Sequence, residues 1–429
     1  MVLRNSALLA FFSIVSLLLG VLRDRFLAQI VGVGPMLDVY NAAFRIPDLM
    51  YGLLISAVSA ATVVPFITRA VHEEEEHLTE KFNSLFFFFG FTLSGISVLV
   101  SVCVPFLAPY VVPGFDEFQR SYFVTCSIIL MIQPLFLGLS ALVSSLAQVK
   151  HRFFMYSIAP LFYTLVIIVS IPLLYPRYGV VGLAWGVVVG ALVSFLIQSY
   201  TLFESRMRLS WSMFKWEYVI AHMRIAIPRS LSTVVSRLRD LVFASVATWI
   251  GVGALSVYLF AQKIIDAFMQ VVVQSASTAT LPLLAHKHAM GEHEGYARIL
   301  KINLISLFAI AAVAGVVIVL FRNEIVHILY GDTGRSADIA HMAKLFAYTL
   351  PLYALNYYFV SAFSASKNTM GLFYANLIAS TFAVACLLVS AWMGYGLFSL
   401  VVGSWGLSVS YLLLLVIFYS RKRRLSRTS

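Results

Sequence analysis

Leu22-Arg23-Asp24 recurs in this chain as Leu238-Arg239-Asp240. Gly32-Val33-Gly34 recurs as Gly251-Val252-Gly253. Tyr40, Arg45 and Asp48 return, at one constant spacing, as Tyr258, Lys263 and Asp266. The small-residue run Ser59-Ala60-Ala61-Thr62-Val63-Val64-Pro65 returns as Ala276-Ser277-Thr278-Ala279-Thr280-Leu281-Pro282. The separation stays near about 216 to 219 residues, half of a 429-residue chain. Two related halves of one polypeptide are the mark of a duplicated architecture.

The surrounding composition says which architecture. The chain is 61% hydrophobic and 11% charged, with a mean hydropathy of +0.91. No soluble domain has that balance. Runs of the ~20 apolar residues that cross a bilayer recur from end to end. They fall at 6–31, 36–68, 82–108, 120–148, 153–175, 179–203, 222–249, 252–284, 297–321, 338–365, 369–393 and 397–419. None alternates in polarity as a barrel strand would, so each reads as a helix. The fold class is all-α: a polytopic membrane protein of about twelve transmembrane helices in two six-helix lobes. Six spans per half is an even number, so the lobes share one orientation about a pseudo-twofold along the membrane normal. The expected division is an N-terminal lobe at 1–205, an interfacial linker at 206–221, a C-terminal lobe at 222–420 and a basic tail at 421–429.

Net charge is +11. Its placement argues against nucleic acid. Lys and Arg gather in alternate loops and in the tail Arg421-Lys422-Arg423-Arg424, which puts both termini in the cytoplasm. The linker holds Arg206, Arg208, Trp211, Lys215 and Trp216, a basic and aromatic membrane-surface pattern. The first span carries Arg23, Asp24 and Arg25 near its end and does not read as a cleavable signal peptide. Cys103, Cys126 and Cys386 lie in apolar spans without metal spacing and read as small core residues. His72-Glu73-Glu74-Glu75-Glu76-His77 reads as a solvated acidic loop rather than a metal site. Pro47, Pro134, Pro228 and Pro351 interrupt spans and predict kinks.

The chemistry lies in charges inside the spans. Asp38, Arg45 and Asp48 fall in the second span; Arg229, Arg237, Arg239 and Asp240 in the seventh; Lys263 and Asp266 in the eighth. Arg45 with Asp48, and Arg237 with Asp240, have the i,i+3 spacing that lets side chains pair. Each ionised group at the bilayer centre costs ~2.5–3.5 kcal/mol by insertion scales unless it meets water, a counterion or a ligand. The pseudo-twofold is expected to turn both sets toward one central cavity. Cations exceed anions there, which points to an anionic substrate; arginine's planar fork suits phosphate. The competing explanation is a set of internal salt bridges, with snorkelling near the span ends. No Walker loop, H-E-x-x-H or G-x-S-x-G motif is present, so the chain does not read as an enzyme. No cofactor is expected; a coupling ion, the membrane potential or substrate flux would drive transport.

At these residues the chain resembles a known family. Gly20-Val21-Leu22-Arg23-Asp24, Asp38 with Ala42-Ala43-Phe44-Arg45-Ile46-Pro47-Asp48-Leu49, and Val64-Pro65 are similar to the signature of the MurJ/MviN lipid II flippases. Phe363-Ser364-Ala365-Ser366-Lys367-Asn368-Thr369 agrees in the second half. The resemblance implies a multidrug/oligosaccharidyl-lipid/polysaccharide exporter fold with a cationic cavity. It implies flipping of a polyprenyl-pyrophosphate-linked peptidoglycan precursor from inner to outer leaflet by alternating access. It marks Arg23 and Asp38 as functional and places Lys263 where the family has an arginine. The chain departs from the pattern at Leu17 and Tyr51, where the family carries arginine, and at Ser56, where it is acidic. It also has about twelve spans where the family usually has fourteen. Arg229, Arg237 and Arg239 are candidates to compensate. The expected site is therefore Arg23, Asp38, Arg45, Asp48, Arg229, Arg237, Arg239 and Lys263. The expected partners are a lipid-linked anionic glycan, membrane lipids and cell-wall synthesis proteins, in a bacterial cytoplasmic membrane. The alternatives are a flippase for another lipid-linked oligosaccharide, a cation-coupled multidrug exporter, and a non-transporting scaffold. The basic excess argues against the exporter. The cost of retained intramembrane charge argues against the scaffold.

Overall fold

Helices account for nearly all the described backbone, and they break where the sequence places proline and glycine. The computed structural model describes residues 2–58, 63–64, 66, 75–150, 152–290, 292–365 and 369–428. Most of the Ser59–Pro65 run, 72–74 of the acidic loop and Ser366-Lys367-Asn368 lie outside the described residues. The helices are α1 (Val2–Phe26), α2 (Pro35–Ala43), α3 (Arg45–Val58), α4 (Glu75–Val111), α5 (Glu117–Leu130), α6 (Gln133–Val149), α7 (Phe153–Glu204) and α8 (Trp216–Ile250). They continue as α9 (Ala254–Phe268), α10 (Ser275–Ala289), α11 (His293–Leu320), α12 (Arg322–Tyr330), α13 (Ser336–Ala347), α14 (Leu350–Ala365), α15 (Thr369–Trp392) and α16 (Phe398–Thr428). Short π-helical segments follow α1 (Leu27–Val31) and α9 (Met269–Gln274). No strand occurs among the described residues.

Among the described residues, seven helical segments are long and apolar enough to cross a membrane. Two of the about twelve apolar runs, 153–175 and 179–203, join in one of these segments. The run at 36–68 extends outside the described residues. Proline breaks the helix within some runs. Pro47 has no N–H to give the carbonyl of Ala43, and the second run breaks at Phe44 into α2 and α3. The fourth run breaks at Met131 and Ile132 beside Pro134, and the tenth at Tyr348 and Thr349 beside Pro351.

The 52-residue α7 would be ~78 Å long if straight, far more than a ~30 Å hydrocarbon core. It is a hairpin. Gly179 turns the chain with φ 57° and ψ −147°. Beyond it, Gly182, Gly186 and Gly190 line one face at four-residue spacing. A methyl group on Gly182 would lie 2.8 Å from the Leu174 carbonyl oxygen, and one on Gly190 2.9 Å from that of Tyr163. Small residues at this spacing let two membrane helices touch backbone to backbone. Arg152 and Glu204 close the open end with an ion pair.

The described chain divides into two compact units, Met1–Ala244 and Ser245–Ser429. In the first, Phe82, Leu85, Phe89 and Leu93 of α4 pack with Leu142, Val143 and Leu146 of α6 in a buried core. The linker is pinned to the start of α4. The fully buried Asn83 donates to the Arg208 carbonyl at 3.0 Å and accepts from the Ser210 N–H at 2.8 Å. Ser84 Oγ accepts from the Lys215 N–H at 2.9 Å. Glu80 takes Lys215 Nζ at 2.7 Å and the Tyr218 hydroxyl at 3.2 Å. The Glu80 hydrogen bond raises the Lys215 pKa, so the contact stays charged through neutral pH. Trp211 stacks on Phe214 at 4.8 Å and meets Phe87 and Phe91 edge-on. The first turns of α8 therefore follow the first unit, although they open the second repeat in sequence.

The second unit repeats the devices of the first. Asp116 caps α5 in a reciprocal box with Gln119. At the same separation, the Thr333 N–H donates to Ser336 Oγ at 2.9 Å. Helices α15 and α16 form the hairpin that matches α7, turning at Gly394 and Gly396 with φ of 83° and 55°.

Candidate functional site

In the first unit, adjacent arginine and aspartate residues pair identically in both repeats. Arg23 at the end of α1 sets Nε 3.1 Å and Nη2 3.0 Å from Asp24 Oδ1. Arg239 in α8 sets Nε 3.3 Å and Nη2 2.9 Å from Asp240 Oδ1. Neighbours on a helix point about 100° apart, so the long arginine stem has to fold back to make this contact. The expected partner of Asp240 was Arg237, three residues away. The structure gives it Arg239 instead, because the arginine stem can reach further than helical spacing alone suggests.

Arg237 is left to act elsewhere. It lies across from Gly52 in α3, where a methyl group would be 2.8 Å from its Cγ. It and Arg45 are the two cations acting on Asp48, with Asp240 a further anion nearby. Neither arginine makes an ion pair with Asp48 among the described residues. Arg45 Nε is buried with no hydrogen-bond partner among them. Two arginines thus act on one carboxylate, and cations still exceed anions there once Asp240 is set against its own partner Arg239. That arrangement suits a multiply charged anion with several acceptor oxygens.

Three tyrosines connect the two charge groups. Tyr40 interacts with Arg23 and Asp24. Tyr51 interacts with Asp48 and Arg237. Tyr163 interacts with both groups, through Arg23 and through Asp48. Its hydroxyl accepts from Gln133 Nε2 at 3.2 Å. Gln133 follows the break before α6, and its Oε1 is buried without a partner among the described residues. Tyr51, Tyr163 and Gln133 were not among the expected site residues. The repeat marks Tyr40 through Tyr258, and Tyr51 stood out as a departure from the family pattern, but Tyr163 and Gln133 carried no signal of their own.

The remaining expected residues have different settings. Asp38 is 1% exposed in the first turn of α2, where the helix dipole favours a carboxylate. Arg229 lies in α8 with its side chain outside the described residues. Lys263 is in α9 of the second unit, with Nζ 5.3 Å from the Phe260 ring centroid. Phe260 stacks on Tyr330 at 4.5 Å and accepts its hydroxyl through the backbone carbonyl at 2.9 Å. No cluster able to hold a metal occurs among the described residues.

Comparison with known proteins places the chain in a family. The family model described as lipid II flippase MurJ matches residues 27–428. A probable lipid II flippase MurJ of Rhizobium meliloti (strain 1021) is 23% identical over 370 residues, covering 82% of this chain and 69% of the relative. The lipid II flippase MurJ of Burkholderia cenocepacia is 22% identical over 357 residues, covering 80% and 68%. A solved lipid II flippase MurJ in an inward closed conformation aligns with a TM-score of 0.82 at 16% identity, over 96% of this chain and 87% of that one. An inward-facing multidrug resistance MATE family transporter of the MOP superfamily also scores 0.82, at 15% identity over 96% of each chain. The structural likenesses establish a two-lobed, all-helical transporter fold. The sequence match over nearly the whole chain decides between them: the chain belongs to the lipid II flippase MurJ family.

Proposed function

We propose that this multi-pass membrane protein moves a polyprenyl-pyrophosphate-linked peptidoglycan precursor, lipid II, from the inner to the outer leaflet. The observation that carries this reading is a pair of cations at α3: Arg45, whose Nε is buried without a hydrogen-bond partner among the described residues, and Arg237, whose stem lies against Gly52 of the helix that carries Asp48. A pyrophosphate supplies the acceptor oxygens that this arrangement lacks. The fold alone does not separate a flippase from a multidrug exporter, since the two solved relatives score equally. Charge does, because a cationic drug would meet net positive charge at Arg45 and Arg237. The tyrosines offer hydroxyls and rings to sugars. Arg23, Asp38, Arg229, Arg239 and, in the second unit, Lys263 are further residues of the transport path. Transport proceeds by alternating access, driven by a gradient, the membrane potential or substrate flux without a bound cofactor. The six-helix lobes at 1–205 and 222–420 joined by 206–221, cytoplasmic termini and residence in the bacterial cytoplasmic membrane complete the reading, supported by the repeat and the loop charges. Cell-wall synthesis proteins are the expected neighbours.

The test is complementation of a bacterium depleted of its own lipid II flippase, with Arg45→Ala and Lys263→Ala beside the parent chain. Growth with the parent and lysis with both variants is the expected result. Failure of a well-expressed parent chain would move the substrate to another lipid-linked glycan. Rescue by all three would remove the site assignment.

A further inference from the structure

Gly52 sits inside α3 with no need of glycine for its backbone, which is ordinary helix. Alanine would be the better helix former there. A glycine at such a position has a packing reason. A methyl group on Gly52 would lie 2.8 Å from Arg237 Cγ, 2.9 Å from Nε and 3.3 Å from Cδ. Non-bonded carbons rest at about 3.5–4.0 Å. The atoms against the missing side chain are the arginine stem up to its guanidinium. The notch therefore sets the direction in which the planar fork points. No hydrogen bond or ion pair to another described residue shares that task for Arg237. The residue is itself exposed, so without the notch its fork would sample many rotamers.

We infer that Gly52 is a positioning residue: it seats the Arg237 stem against α3 so that the guanidinium stands preorganised beside Tyr51 and Asp48, facing the same anion as Arg45. The inference rests on the reading of Arg237 as a substrate cation. Preorganisation removes the entropy that an ordinary surface arginine loses on binding. A methyl group at position 52 displaces a flexible stem and leaves the backbone of α3 in place. Gly52→Ala is therefore expected to weaken binding while the fold holds, an outcome that a purely structural glycine would not give.

The experiment titrates undecaprenyl pyrophosphate into the detergent-purified full chain and compares Arg237→Ala, Gly52→Ala and the double variant. Gly95→Ala is the control, since a methyl group there meets nothing within 4 Å. The expected result is about tenfold weaker binding for Arg237→Ala, a several-fold loss for Gly52→Ala, and a double variant no worse than Arg237→Ala. Parent-like binding by Gly52→Ala beside a weakened Arg237→Ala would overturn the inference and leave the anion reading in place. So would additive losses in the double variant. Parent-like binding by Arg237→Ala would overturn the anion reading and the inference with it. Should Gly52→Ala fail to fold, recovery of folding in the double variant assigns the clash to Arg237. Failure of both to fold overturns the inference.

Discussion

Replacing Asn83 by alanine should loosen the linker's hold on the first unit. The side-chain amide of Asn83 acts as a peptide group set into α4. It gives a hydrogen to the Arg208 carbonyl at 3.0 Å and takes one from the Ser210 N–H at 2.8 Å, across 125 and 127 residues of chain. Each such bond is worth a net ~0.5–1.5 kcal/mol. Arg208 is exposed and Ser210 half-buried, so water recovers part of the loss once the linker lifts. The cost should therefore fall in the lower half of the combined range, about 1–2 kcal/mol, which multiplies the open population roughly 5- to 30-fold. Trypsin reports that population directly, because Arg206 and Arg208 are cleavage sites within the docked segment. When reclosing outpaces cutting, the cleavage rate follows the opening equilibrium. Asn83→Asp keeps the acceptor for Ser210 but loses the donor to Arg208, and should give an intermediate rate. The Ser84, Glu80 and Trp211 contacts persist in both variants, so complete release is not expected. A cleavage rate in Asn83→Ala equal to that of the parent chain would refute the reasoning and show that the aromatic contacts alone hold the linker.

Two further perturbations probe the hairpin and the tyrosine bridge. Gly190→Ala drives a methyl group to 2.9 Å from the Tyr163 carbonyl oxygen, which cannot swing aside; overpacking of ~1–3 kcal/mol should exceed the helix-propensity gain of ~1 kcal/mol. Thermal unfolding in detergent should show a lowered midpoint for Gly190→Ala and a parent-like or raised one for Gly95→Ala; equal shifts in both would refute the close-packed hairpin. Tyr163→Phe strips the acceptor from Gln133 Nε2 and leaves a buried donor unmet, at ~1–3 kcal/mol. Pairing it with Gln133→Leu removes both ends and should recover stability on the same measurement; a double variant less stable than Tyr163→Phe would deny the coupling.

The architecture was legible because membrane burial leaves long apolar runs, and duplication prints each signal twice. The breaks beside Pro134 and Pro351 could be read this way. The side-chain partners could not. Helical spacing gives the direction of Cβ, and by that rule Arg237 belongs with Asp240. An arginine stem is long enough to override the rule, and Arg239 takes the carboxylate while Arg237 lies across α3. Tyr163 was invisible for a different reason. Its run reads as one of many apolar spans, and its place between Arg23 and Asp48 depends on the α7 hairpin.

Where the two repeats part company is informative in itself. The caps, the proline breaks and the glycine hairpins recur at one separation, so the scaffold was kept twice. The charged positions Arg45 and Asp48 also recur, as Lys263 and Asp266. Pro47 and Gly52 do not: the same separation puts Ile265 and Gln270 opposite them. There the helix runs through α9 without a proline break and passes into the π-helical segment Met269–Gln274. A π segment adds a residue within the turn and shifts the side chains that follow around the helix axis. The second repeat thus re-aims its side chains through the backbone. The first breaks its helix at Phe44 and opens a notch for an arginine from α8. Duplication supplied both lobes with charge. The stem of Arg237 is seated at Gly52, and Gln270 stands at the matching position of the second repeat, so loss of the Gly52 notch should not be made good by the charges of the second repeat.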